Sequence, residues 1–186
     1  MTQHDWNAVR AIYLEGIATG NATFETSAPE WSEWNAAHLP SCRLVARSGS
    51  RVLGWVALSP VSSRRVYAGV AEVSIYVAEH ARSQQIGSKL MAALVEASER
   101  EGIWTLQAGI LAENVHSIAL HEQVGFRIVG KRERLGSLHG HWHDVILMER
   151  RTAATGVLMV LPAEIWSVRR PLKPRRVTMP LGESPR

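Results

Sequence analysis

The stretch "VAEVSIYVAEHARSQQIGSKLM", Val70–Met91, decides the fold. Its first eight residues alternate and are rich in β-branched side chains, which predicts a strand over Val70–Val77. From Ile86 to Glu101 apolar residues recur at helical spacing, and Gly102 stops the pattern. The loop between strand and helix also has a chemical use. A turn of small residues at a helix start exposes free backbone N–H groups and the positive end of the helix dipole, which together can hold a pyrophosphate. Arg82 and Ser88 would add direct contacts. On this stretch alone an ordinary strand-to-helix connection is the stronger reading, because the loop is not especially glycine-rich.

Upstream, Trp6, Val9, Ile12, Tyr13 and Ile17 predict a helix over Trp6–Thr19 with Asp5 as its N-cap. "GNATFET", Gly20–Thr26, breaks the pattern as a loop, and Pro29–His38 forms a short helix. "CRLVAR" and "RVLGWVAL" flank "SGS" as a hairpin. Downstream, "IWTLQAGI" predicts a strand and "NVHSIALHEQ" a helix closed by Gly125. "FRIVGKRERL" and "WHDVILMER" are two further strands. The order is helix, helix, β, β, β, helix, β, helix, β, β, a mixed α/β layer fold around one sheet.

The 186 residues are 46% hydrophobic, enough for one compact domain with a real core. No apolar run approaches the ~20 residues of a membrane helix. The start, "MTQHDWNAVR", lacks the apolar stretch of a signal peptide. A single cysteine, Cys42, excludes an internal disulfide and suits a cytoplasmic setting; it reads as a small buried residue. Residues 1–149 carry 13 Lys and Arg against 15 Asp and Glu, and residues 150–186 carry 8 against 2. The basicity therefore belongs to the end of the chain, "RRPLKPRR" above all. The body offers no basic stripe for phosphates to follow, which makes nucleic acid an improbable partner. Residues 1–151 are expected to form one folded domain and 152–186 a basic, proline-containing tail, partly disordered.

A second motif changes the weight of the first. In "NVHSIALHEQVGF" the steps from Asn114 to Ser117 to His121 place three polar groups on or beside one helix face, where Ile118, Leu120 and Val124 account for core packing. Taken alone, a histidine there is more often structural than catalytic. Together the two motifs resemble the acetyl-CoA-dependent N-acetyltransferases of the GNAT superfamily. "RSQQIG" occupies the family's phosphate-loop pattern, Arg/Gln-x-x-Gly-x-Gly/Ala. "NVHSIALHEQVGF" matches every fixed position of its second motif. The resemblance runs from about Trp6 to Arg151 and is greatest to the phosphinothricin and methionine sulfoximine N-acetyltransferases, through "NATFET", "RVYAGVAEVSIYV", "IALHEQVGF" and "HGHWHDV". There are two departures. Gln85 stands where the family has its first loop glycine, so the loop either binds cofactor more weakly or adopts an ordinary helix-start conformation there. The strand that the family places before its first helix is missing or truncated.

The resemblance implies a mainly antiparallel central sheet flanked by helices, and acetyl-CoA as cosubstrate without a metal. The backbone at Val77 and the loop Arg82, Ser83, Gln84, Gln85, Ile86, Gly87 and Ser88 would hold pantetheine and pyrophosphate, with Asn114 and Ser117 beside them. Splaying of the strands that carry Val77 and Gly109 would open the thioester slot. Attack by a protonated amine needs a base. Glu72 matches the family's carboxylate base, and His121 would share proton removal or protonate the departing thiolate. Transfer would be direct. The acceptor would be a small amino acid whose carboxylate meets Arg64 or Arg65 with Tyr67, while Phe24 and Glu25 close the other wall. A homodimer is expected, as is common among relatives. "HGHWHDV", His139–Val145, is the entry to the last strand, with Trp142 packing and His143–Asp144 as an orienting pair. His141 and His143 share a strand face, but no third ligand joins them for a metal. The competing functions are acetylation of a protein N-terminus or other amine, and CoA binding without turnover.

Overall fold

The computed structural model describes residues 1–152. The expected tail from residue 153 onward lies outside the described residues. Six strands form one sheet: β1 (Leu44–Ser48), β2 (Arg51–Pro60), β3 (Val70–Val77), β4 (Thr105–Leu111), β5 (Arg127–Leu138) and β6 (His141–Arg151). Their order is β1-β2-β3-β4-β6-β5, and every neighbouring pair is antiparallel except β3 with β4. Helices α1 (Trp6–Ala18) and α2 (Trp31–Ala37) cover one face, and α3 (Ile86–Arg100) and α4 (Val115–Gln123) the other. The expected mixed sheet flanked by helices is present, and no strand precedes α1 among the described residues. No helix among them is long and apolar enough to cross a membrane.

β2 is apolar on both sides because it runs through the middle of the sheet. Val56 and Leu58 join Leu90, Met91 and Leu94 of α3 on one face. Trp55 and Ala57 join Trp6, Val9, Ile12 and Trp34 on the other. That second face is unusually aromatic. Trp34 meets Trp55 edge-on with centroids 5.8 Å apart, and Trp55 stacks on Tyr76 at 4.9 Å.

Three local expectations need correction. Asp5 does not cap α1 with its side chain. It ends a 3-10 turn, Gln3–Asp5, and its carboxylate accepts from Thr2 N–H at 2.7 Å and pairs with Arg47. His143 and Asp144 are not a pair, because consecutive strand residues point to opposite faces. His143 Nδ1 lies 3.3 Å from Glu113 Oε1, whereas Asp144 accepts from Lys131 Nζ and from Arg134 N–H, both at 2.7 Å. Trp142 is 64% exposed and does not pack against the other described residues. The histidine-rich stretch is a turn: Leu138 pairs with His141, and His139 and Gly140 between them have φ of 49° and 81°. A two-residue hairpin with both central residues left-handed is a type I′ turn. Cys42 is buried as expected, which pushes its thiol up to about 11.

Candidate active site

β3 and β4 pair over only three rungs, Val70 with Thr105, Ala71 with Leu106 and Glu72 with Gln107. Beyond Glu72 the two strands part, and the edge of β3 facing β4 has no strand partner. A cleft of ≈ 670 Å³ adjoins this open edge. It is lined by Ile75, Tyr76 and Val77 of β3, by the loop into α3, and by Asn114, Ser117 and Leu120 of α4 and its cap.

The loop is built for an anion. Ser83 and Gln85 have φ of 60° and 61°, both left-handed. Such residues turn successive N–H groups into a concave nest. Gln85 is the N-cap of α3 with ψ of 13°, and no side chain caps that helix. The N–H groups of its first turn therefore keep their hydrogen-bonding capacity for a ligand. Gln85 is therefore not in an ordinary helix-start conformation. It takes the backbone shape that a glycine adopts without strain.

Val77, Arg82, Ser83, Gln85, Ile86, Gly87, Ser88, Asn114 and Ser117 all line this cleft. Gln84 does not; its amide donates back to His80 O at 2.9 Å. Asn114 Oδ1 accepts from Ser117 N–H at 3.2 Å, capping α4. That spends the acceptor of Asn114 and leaves its NH₂ as a donor at the wall. Gly16, Thr19, Asn21 and Ala22 also line the cleft, and the sequence reading did not place them there. The only signal was the loop "GNAT" closing α1. Gly16 has a steric reason: a Cβ there would lie 2.5 Å from the Tyr76 ring.

Glu72 sits on the last paired rung, half-buried, on the α1/α2 face with Ser74 and Tyr76. Gln107 Nε2 donates to Glu72 Oε2 at 3.2 Å. A Cβ added at Gly109 would be 3.8 Å from Oε1, so the glycine leaves room beside the carboxylate. His121 is placed differently. It is 2% exposed and is not on the cleft wall. Its Nδ1 is 2.8 Å from Ser117 O, and its ring meets Phe126 edge-on. A carbonyl accepts only from N–H, so Nδ1 carries the proton and the buried Nε2 is left bare and unpartnered. Burial pushes its pKa down against the pull of the Ser117 carbonyl, so the ring is neutral.

The expected acceptor residues are scattered within one chain. Arg64 and Tyr67 are exposed on the 3-10 turn before β3, with the guanidinium 5.7 Å from the Tyr67 ring centre. Neither lines the cleft. Phe24 leans on the β5–β6 hairpin, 6.2 Å from the His143 ring. Glu25 lines a second pocket, of ≈ 500 Å³, on the α1/α2 face. No group of three or more metal-ligating side chains gathers among the described residues.

Residues 6–126 match the model of the Acetyltransferase (GNAT) family. A phosphinothricin N-acetyltransferase from Alcaligenes faecalis is 32% identical over 155 residues, covering 78% of this chain and 77% of that protein. A methionine sulfoximine/methionine sulfone acetyltransferase from Pseudomonas aeruginosa is 25% identical over 78% of this chain and 88% of its own length. The crystal structure of a GNAT-superfamily phosphinothricin acetyltransferase from Sinorhizobium meliloti, in complex with acetyl-CoA, superposes with a TM-score of 0.75 at 29% identity. That match covers 81% of this chain and 85% of that one.

Proposed function

The chain belongs to the GNAT family of acetyltransferases, and from that premise we propose that it acetylates the α-amino group of a small amino acid or analogue. Phosphinothricin, methionine sulfoximine and methionine sulfone are the proposed acceptors, after the names of the relatives. The observation that carries this reading is the position of Glu72. It stands on the last rung where β3 and β4 pair, next to the strand edge that opens onto the cleft, and shares its sheet face with Ser74 and Tyr76 of the aromatic pocket.

Acetyl-CoA, when bound, supplies an activated acyl carbon and a thiolate leaving group. The residues present fit it: a left-handed loop and an uncapped helix N-terminus for phosphates, the open edge of β3 for the amide-bearing arm, and the Asn114 NH₂ beside it. The residues proposed to hold it are Val77, Arg82, Ser83, Gln85, Ile86, Gly87, Ser88, Asn114 and Ser117.

An α-amine is largely protonated at neutral pH, so its proton must be removed before nitrogen can attack. With Oε2 held by Gln107, Glu72 receives that proton at Oε1, directly or through a water. The new C–N bond forms as the C–S bond breaks, the sulfur leaves as thiolate, and the second proton that the nitrogen sheds on becoming an amide passes to that thiolate. The protein carries no acetyl group at any stage. We assign His121 a supporting part: neutral and tied to Ser117, it holds α4 in place behind the cleft. Arg64 and Tyr67 remain the proposed carboxylate fork, which needs the exposed turn to meet the acceptor. The proposed assembly is a homodimer in the cytoplasm; Ile128, Val129, Leu135 and Trp142, all exposed on the β5–β6 hairpin, give a second copy an apolar surface.

The test is a thiol-release assay with acetyl-CoA across free amino acids, their sulfone, sulfoximine and phosphinate analogues, and a peptide amine. Release with the free analogues and none with the peptide is the expected result. Release with the peptide alone would move the acceptor to a protein N-terminus.

A further inference from the structure

The loop between α1 and α2 touches both cavities. Asn21 and Ala22 line the cleft beside β3, and Glu25, Ser27 and Pro29 line the aromatic pocket. At its centre the backbone bonds are local: Asn21 N–H donates to Thr19 Oγ1, and Glu25 N–H to Thr23 Oγ1. Two consecutive side chains reach further. The Thr23 hydroxyl meets the phenols of Tyr13 and Tyr76. Phe24, half-buried, lies edge-on to His143 of the β5–β6 hairpin, with ring centroids 6.2 Å apart.

The seat for Phe24 is a missing side chain. Gly136 pairs with His143 across the hairpin. A Cβ added there would lie 2.6 Å from Phe24 Cζ and 2.7 Å from Cε1, well inside carbon–carbon contact. The ring therefore fills the space that any other residue at position 136 would occupy. The backbone does not itself call for glycine there, because Gly136 is not among the residues with positive φ. A strand glycine of that kind marks a close approach by another group, and here the group is Phe24.

The seat shares a sheet face with Glu72. A Cβ at Gly109 would meet Val145 Cγ1 at 3.4 Å and Glu72 Oε1 at 3.8 Å, so Val145 and the carboxylate flank one point on that face. His143 is two residues before Val145 on β6 and faces the same way. From Thr23 at Tyr76 on β3 to Phe24 at His143 on β6, the loop spans the position of β4, on the side where β3 and β4 have parted.

We propose that Gly136 is a positioning residue: by seating the Phe24 ring it straps the α1–α2 loop across the face on which the acceptor must reach Glu72. Its effect on turnover rests on the acetylation reading above; the strap itself does not. Gly136 has no side chain to offer a substrate and acts only through Phe24. Filling the notch unseats the ring and loosens the loop from Phe24 onward. The part that lines the donor cleft stays tied to Tyr76 through Thr23.

The experiment compares Gly136→Ala, Phe24→Ala and the double variant with the unmodified chain. In Gly136→Ala the KM for the amino acid should rise by about tenfold, kcat should fall less, and the KM for acetyl-CoA should hold. In the Phe24→Ala background the same substitution should cost nothing further, because the ring it displaces is gone. Brief chymotrypsin treatment reads the strap without turnover. Cleavage after Phe24, identified by fragment mass, should be about tenfold faster in Gly136→Ala than in the unmodified chain. An equal loss in both backgrounds overturns the proposal, as does an unchanged KM for the amino acid or unchanged cleavage. If Gly136→Ala does not fold, a folded double variant upholds the seat, and a double variant that also fails to fold overturns it. If the unmodified chain acetylates no amino acid, the acetylation reading fails on its own, and the cleavage rates alone decide whether the strap stands.

Discussion

Two regions of the molecule are built by different means. The cleft beside the open edge of β3 is framed by that edge, a left-handed loop and an uncapped helix end, with α4 and the end of α1 closing its sides. On the α1/α2 face the aromatic pocket is made of side chains from α1, the following loop, α2, β2 and β3. A backbone site tolerates substitution as long as the conformation survives. A side-chain site can change its ligand one residue at a time. Glu72 stands at the join, and substitutions on either side of it should fail in different ways.

The largest effect is expected at the join itself. Glu72→Gln keeps the size and the contact with Gln107 but cannot take a proton, and kcat/KM for the amino acid should fall by ~10²–10⁴-fold at pH 7. The deficit should shrink as pH rises to about 9.5, where more amine is already neutral. Affinity for acetyl-CoA should hardly change. Near wild-type kcat/KM at pH 7 would make Glu72 structural and abolish the division into two sites.

Arg82→Ala tests the donor side. Loss of a charged hydrogen bond to a phosphate costs about 1.5–3 kcal/mol, so the KM for acetyl-CoA should rise by roughly 10–100-fold with little change in the KM for the amino acid. A rise confined to the amino acid would put Arg82 at the wrong site.

His38 tests the aromatic pocket, which it lines, through stability. Burial lowers its folded pKa to about 4, below the unfolded value near 6.5, so the unfolded chain takes up a proton that the folded chain refuses. Stability is unaffected above pH 6.5 and falls as pH drops from there towards 4, by up to about 2–3 kcal/mol. In His38→Gln, urea melts between pH 7 and 4 should lose most of that slope. An unchanged slope would mean that His38 is charged in the folded pocket.

Gln85→Gly should have the smallest effect. It removes a left-handed non-glycine strain of about 1 kcal/mol and leaves the nest intact, so activity is kept and acetyl-CoA binds as well or slightly better. A large loss of cofactor affinity would show that the Gln85 side chain is itself a ligand, and the cleft would no longer be a backbone site.

The same contrast explains what could be read from sequence. Val70–Val77 is a strand with the expected bounds, because that depends on local pattern. The left-handed turn at Gln85 was hidden, since glutamine gives no sign of positive φ. The burial of His121 was hidden too. Spacing placed it beside Asn114 and Ser117, but one step past Leu120 turns the ring onto Phe126. His143 and Asp144 were misread as partners although strand alternation already separates them. The aromatic pocket could not be found at all, because Tyr13, Trp34, Trp55 and Tyr76 meet only when α1 and α2 fold over the sheet.

Tyr76 lines both the donor cleft and the aromatic pocket, and Gly16 makes room for its ring. One phenol is thus a party wall between two rooms. Neither reactant has to leave before the other arrives. The kinetic signature is a ternary complex, with double-reciprocal plots that intersect where a ping-pong scheme would give parallel lines. Because the wall is shared, filling one room should also steady the ring that bounds the other. The first reactant to bind would then tighten the second, and by linkage the factor must be the same in either order.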